Sequence, residues 1–195
     1  MKYHVAPWIS GLAIAAAASL ALPAQATTVI AVPLERMTDE SEVIVHARVG
    51  TQQVTWDEHH ARILTLTTIE VIEAVRGASK GDVLTIYQVG GSLDGYTFKI
   101  PGALRFEPGE EMVFFAMRFE DKLVSYGMGL GKYHVDEHDG DKLVWPEYGS
   151  VVFVERKPDG SVAPGPPPEM RARSLDELLT LLRQQISTAP RGGVR

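Results

Sequence analysis

Met112-Val113-Phe114-Phe115-Ala116-Met117 is the most apolar stretch downstream of the N-terminal segment, and the turn Phe106-Glu107-Pro108-Gly109-Glu110-Glu111 feeds directly into it. A short continuous apolar run bounded by a turn reads as a strand buried on both faces. It is expected to be the central core strand. Outward from it the chain is a succession of short extended stretches. Upstream, Val43-Ile44-Val45-His46-Ala47-Arg48-Val49 leaves through Gly50, and a β-branched segment runs from Ala61 to Val75 and ends at Arg76-Gly77. The threonines of that segment would lose χ1 freedom in a helix and favour a pleated surface. Gly81-Asp82 opens Val83–Val89, Gly90-Gly91 closes it, and Tyr96–Ile100 alternates once more before Pro101-Gly102. Downstream, Lys122–Tyr126, Lys132–Val135, Lys142–Trp145 and Val151–Glu155 read as further strands, with Lys157-Pro158-Asp159-Gly160 as a turn before Ser161-Val162. One short helical turn is expected within Val32–Glu40. Eight or nine short strands between glycine turns predict a mainly β domain over residues 27–162, a barrel or a sandwich.

The two ends have a different character. Lys2, the apolar run Ile9–Leu22 and Ala24-Gln25-Ala26 form the pattern of a cleaved signal peptide over residues 1–26, leaving Thr27 as the new N-terminus. The apolar centre is shorter than the roughly 20 residues that cross a bilayer. Export to the periplasm or the extracellular space is therefore expected, with no stable membrane insertion after cleavage. At the other end, Pro164-Gly165-Pro166-Pro167-Pro168 offers few amide donors and predicts an extended spacer over residues 163–173. Ser174 with Glu177 three residues on is a capping-box pattern. Leu175, Leu178, Leu179, Leu182 and Ile186 then share one face at helical spacing. These residues predict an amphipathic helix over 174–187 that covers an edge of the β domain, followed by a frayed tail over 188–195.

Composition narrows the chemistry. The chain contains no cysteine, which excludes thiol catalysis, disulfides and Cys-ligated zinc. Its net charge of −6 lacks a basic face to offset it, so nucleic acid is not an expected partner. No phosphate-loop or dinucleotide motif is present: Gly127-Met128-Gly129-Leu130-Gly131 has neither the Lys-Ser/Thr ending nor the required spacing. No cofactor is expected. Ser92, Ser125, Ser150 and Ser161 lie outside any nucleophile elbow.

Two sets of residues remain as site candidates. His59, His60, His134, Asp136 and His138 offer imidazole and carboxylate ligands of the kind that bind first-row metals, which would support a metal-assisted hydrolase with an open coordination position for substrate. Adjacent residues on a strand face opposite ways, so His59 and His60 could share a site only in a turn. Trp56, Trp145 and Tyr148 sit beside predicted turns and would form an apolar platform for a glycan or peptide if their loops converge. The leading expectation is a soluble, non-enzymatic binding or structural accessory module whose partner is an envelope protein or glycan.

The stretches Val43–Val49, Leu66–Gly77, Gly81–Ile86 and Phe106–Phe115 together resemble exported bacterial β-rich proteins of unknown function. They are also distantly similar to the five-stranded oligonucleotide-binding-like (OB-like) barrel of netrin-type modules and tissue inhibitors of metalloproteinases. The resemblance covers roughly Val43–Tyr126 and implies an exported location and a small closed or partly open antiparallel barrel. Those inhibitors place an N-terminal cysteine on the protease zinc. A chain without cysteine has no residue for that mechanism.

Overall fold

The computed structural model describes residues 27–168 and 171–188. The leader expected over residues 1–26 and the tail beyond Thr188 lie outside them. The described chain is mainly β and has two helices. In order it forms β1 (Thr27–Ile30), α1 (Leu34–Glu40), β2 (Val43–Trp56), β3 (Ile63–Arg76), β4 (Val83–Val89), β5 (Gly91–Leu93), β6 (Tyr96–Phe98), β7 (Glu111–Phe119) and β8 (Lys122–Ser125). Then follow β9 (Lys132–His138), β10 (Asp141–Glu147), β11 (Val151–Arg156), β12 (Val162–Pro164), β13 (Arg173–Ser174) and α2 (Leu175–Thr188).

The main sheet has the order β13-β10-β9-β7-β2-β3-β4-β8, and β8 also pairs with β7. Strands β7, β2, β3, β4 and β8 therefore close on themselves into a ring, while β9, β10 and β13 extend the sheet beyond it. Alternation along the shared strands explains why both faces are apolar. Val43, Val45, Ala47 and Val49 of β2, with Met112, Phe114 and Ala116 of β7, fill the ring. Ile44, Val113 and Phe115 point the other way, into a second core with Val135, Val144 and the leucines of α2. Each residue from Met112 to Ala116 is fully buried, so this apolar run is the wall common to both cores.

Helix α2 closes the second core. Leu175, Leu178, Leu179 and Leu182 are buried, each contributing about 1.5–3 kcal/mol of apolar transfer. The Glu177 N–H donates to Ser174 Oγ at 3.1 Å, the cap that the sequence predicts. The helix ends at Thr188, one residue later than expected.

Three features depart from the sequence reading. Strand β2 does not leave at Gly50 but continues through it to Trp56, with a register shift against β3 between Val49 and Gln52. Glycine is required there because a Cβ would lie 2.6 Å from Thr68 Oγ1, the atom that accepts the Thr51 N–H at 2.8 Å. The proline-rich spacer begins inside a ladder: Pro164 pairs with Val154 on an edge strand, where its missing donor is tolerated. Thr27–Ile30, without a strand in the sequence reading, pairs in parallel with Val151–Val154.

The loop 99–110 plugs one end of the ring. Leu104 and Phe106 enter the ring core, and three successive carbonyls are caught by side chains. Gln88 Nε2 donates to Leu104 O at 3.1 Å, Lys132 Nζ to Arg105 O at 2.7 Å, and Gln52 Nε2 to Phe106 O at 3.0 Å. Gly129 and Gly149 both press on the Gly102 carbonyl so closely that neither has room for a Cβ.

Candidate functional site

The ring is closed on one side by a single parallel pairing, Ile86↔Leu123. Beyond it β4 and β8 separate, and a cavity of about 590 Å³ opens between Tyr87, Gln88 and Val89 on one side and Val124 and Ser125 on the other. Phe98, Ile100, Ala103 and Met128 complete its apolar walls, and Arg62 joins the lining. Among the described residues no acidic side chain lines it. Val89, Phe98 and Met128 remain exposed although they are large and apolar. A concave apolar site of this size with a few polar groups is the form that ligand pockets take.

A second constellation is rich in charge. Lys132, on the ring-facing side of β9, is fully buried. Its ammonium contacts Glu110 Oε1 at 2.8 Å and Glu147 Oε2 at 3.0 Å, besides the Arg105 carbonyl. The Phe106 ring centroid lies 5.5 Å away. Three partners satisfy its three donors. His134 Nδ1 sits 3.9 Å from both Glu110 Oε2 and Glu147 Oε2. Glu110, His134 and Glu147 thus form the one group of three metal-type ligands within 4.8 Å of one another among the described residues. Their donor atoms suit a divalent cation, but the Lys132 ammonium already bridges the two carboxylates. A metal there would share Glu147 with a neighbouring positive charge.

Of the histidine set named from the sequence, this group includes His134 alone. His59 and His60 occupy the turn between β2 and β3 and are exposed, with Asp57 accepting the Ala61 N–H at 2.7 Å. That bond is the main reason the Asp57 carboxyl is held below its ordinary value. Asp136 and His138 are exposed toward the far end of β9, where His138 faces Asp139 at 3.6 Å. Strand alternation puts His134, Asp136 and His138 on one face, but successive residues on a face are well separated along an extended chain.

A third cluster lies on the opposite face of β2, β7 and β10. Glu111 accepts from His46 at 2.9 Å, Arg48 at 2.6 Å and Lys142 at 2.5 Å. Burial alone would raise the Glu111 carboxyl, yet these three bonds outweigh it and hold the group at about 2. His46 is lowered chiefly by burial, which its contact with Glu111 opposes. The arrangement is a satisfied ion network within a packed face.

The aromatic residues singled out from the sequence lie in three separate places, each against different rings. Trp56 stacks on His60 with centroids 6.2 Å apart, meets Tyr96 edge-on at 5.9 Å and donates its indole N–H to Asp94 at 2.9 Å. Trp145 lies against His134 at 5.0 Å, on the Lys132 side of β10. Tyr148 meets Phe153 at 5.0 Å, and burial raises its hydroxyl to about 12. Tyr148 also lines a smaller cavity of about 330 Å³ beside α1 and the proline-rich segment. None of the three lines the larger cavity.

No protein family, no curated protein and no solved structure matches the chain.

Proposed function

We propose that the protein is an exported, non-enzymatic binding module of the cell envelope that receives an apolar group in the cavity between β4 and β8. The observation that carries this reading is the cavity itself: a ligand-sized concave space with mostly apolar walls, an arginine and, among the described residues, no carboxylate. The charged clusters favour it indirectly. Their carboxylates are engaged by Lys132 or by His46, Arg48 and Lys142, which is the arrangement of structural ion networks rather than of an acid and base awaiting substrate. The leader pattern Ile9–Leu22 with Ala24-Gln25-Ala26 supports a periplasmic or extracellular location. Among the described residues no helix is long and apolar enough to cross a membrane. The five-stranded ring supports an OB-like barrel, a fold with that strand number, used here without a basic groove for nucleic acid.

An apolar fluorescent probe such as an anilinonaphthalene sulfonate tests the proposal. Saturable one-site binding should be abolished by Val89→Glu or Met128→Glu, substitutions at exposed positions of the cavity wall. Binding that is absent, or unaffected by both substitutions, would overturn it. The second reading, a metal-assisted hydrolase, rests on Glu110, His134 and Glu147. It requires near-stoichiometric zinc after purification without a histidine tag, and a rise in melting temperature on adding zinc that His134→Ala removes.

A further inference from the structure

The ligand class follows from the backbone around the cavity, an inference that rests on the proposed binding reading. In an antiparallel pair, both main-chain polar groups of a residue point to the same side, and successive residues alternate. The Val71 N–H donates to Asp82 O at 2.9 Å, and the Gly90 N–H donates to Ile63 O at 2.8 Å. The register between β3 and β4 is unbroken from Glu70↔Val83 to Leu64↔Val89. Even-numbered residues of β4 therefore bond to β3, and odd-numbered ones face the other way. The same argument applies to β8: the Tyr126 N–H donates to Phe115 O at 3.0 Å, so Leu123 and Ser125 face away from β7.

These directions meet in the gap. The ladder between β4 and β8 ends at Ile86↔Leu123. Past that point the Tyr87 carbonyl and the Val89 N–H face the cavity from one side, and the polar main-chain groups of Ser125 face it from the other. A carbonyl and an N–H two residues apart on one edge form the unit to which an added strand bonds. The side chains around this edge are mostly apolar, and among the described residues the Arg62 guanidinium is the only ionic group in the lining. The Arg62 backbone is tied to Asp57, whose N–H donates to the Arg62 carbonyl at 2.8 Å, while among the described residues the Arg62 guanidinium forms no ion pair or side-chain hydrogen bond.

We infer that the cavity binds the extended C-terminal end of a peptide. Its main chain adds to the free edge of β4 at Tyr87 and Val89, its last apolar side chains enter between Phe98, Val124 and Met128, and its terminal carboxylate meets Arg62. A fatty acid would satisfy the apolar walls and Arg62 but would leave the strand edge without a partner. The peptide satisfies all three features.

The test uses the purified chain and four competitors of a bound anilinonaphthalene sulfonate: a hexapeptide ending in Ile-Val, the same peptide as its C-terminal amide, the acid form N-methylated at the isoleucine, and palmitate. The free acid should displace the probe. The amide should bind about tenfold more weakly, the factor that 1.4 kcal/mol supplies, and the N-methyl peptide should bind more weakly still. In Arg62→Gln the acid and amide should become equal while the penalty of N-methylation persists. Displacement by palmitate but by no peptide would overturn the peptide inference and leave the apolar-binding reading standing. Equal binding of the free acid and its N-methyl form would also overturn it, since no main-chain ladder would then be formed. Failure of the probe and of every competitor would remove both readings together.

Discussion

The buried cluster around Lys132, packed against the plug of the ring, and the cavity between β4 and β8, in the ring's wall, are opposites. The first concentrates four ionisable side chains within contact distance. The second offers mostly hydrocarbon and the end of a ladder. Residue type alone would favour the first as the seat of function. Geometry favours the second, because the ammonium, both carboxylates and the Arg105 carbonyl satisfy one another, whereas Val89, Phe98 and Met128 of the cavity wall remain exposed. Reactive side chains indicate a site only when some of their bonding capacity is left for a ligand.

Substitutions can break or sharpen this contrast. Lys132→Met is expected to be the most damaging, since it keeps the apolar stem but leaves Glu110, Glu147 and the plug carbonyl uncompensated, at a cost of about 3–5 kcal/mol in urea unfolding. A near-neutral result would reduce the cluster to ornament and return its carboxylates to the list of free groups. Leu178→Ala, in the fully buried core under α2, should cost about 2–5 kcal/mol and sets the scale for ordinary packing. Ser174→Ala, which removes the cap of the same helix, should cost about 0.5–2 kcal/mol by thermal unfolding.

A pH titration reaches the Glu111 network. Its folded carboxyl lies at about 2, below the ordinary 4.5, so its contribution is fully present above 4.5 and is lost as pH falls from 4.5 toward 2. The difference in melting temperature between the natural chain and Glu111→Gln should therefore be constant above 4.5 and shrink across that window. A difference independent of pH down to 2 would show that the three bonds do not hold the carboxylate. The smallest stability effect belongs to the cavity: Val89→Glu should change unfolding by no more than about 0.5 kcal/mol while removing probe binding. A large loss of stability there would mark the wall as core rather than site.

Much of the sheet was legible because local rules governed it. Val83–Val89 is the strand that Gly81-Asp82 and Gly90-Gly91 delimit, and the Ser174 cap starts the predicted helix. Other features depended on partners distant in sequence. Thr27–Ile30 becomes a strand only through Val151–Val154, and Gly50 continues one because a bulge and Thr68 accommodate it. Lys132 is only the first residue of a predicted strand in the sequence, and its burial depends on Arg105, Glu110 and Glu147, which the fold gathers on it. The cavity left no motif because its walls come from five separated stretches, 62, 87–89, 98–103, 124–125 and 128. Trp56, Trp145 and Tyr148 had the right residue types, but each found a different neighbour.

The parallel pairing of β1 with β11 also constrains the order of assembly. A chain made from its N-terminus exposes Thr27–Ile30 first, whereas Val151–Val154 emerges only when most of the remaining sequence has been synthesised. The ring strands lie between them and can join through nearer neighbours, since closing a long loop early is entropically costly. The first strand of the described residues is therefore among the last to find its place, and until then it presents an unpaired edge.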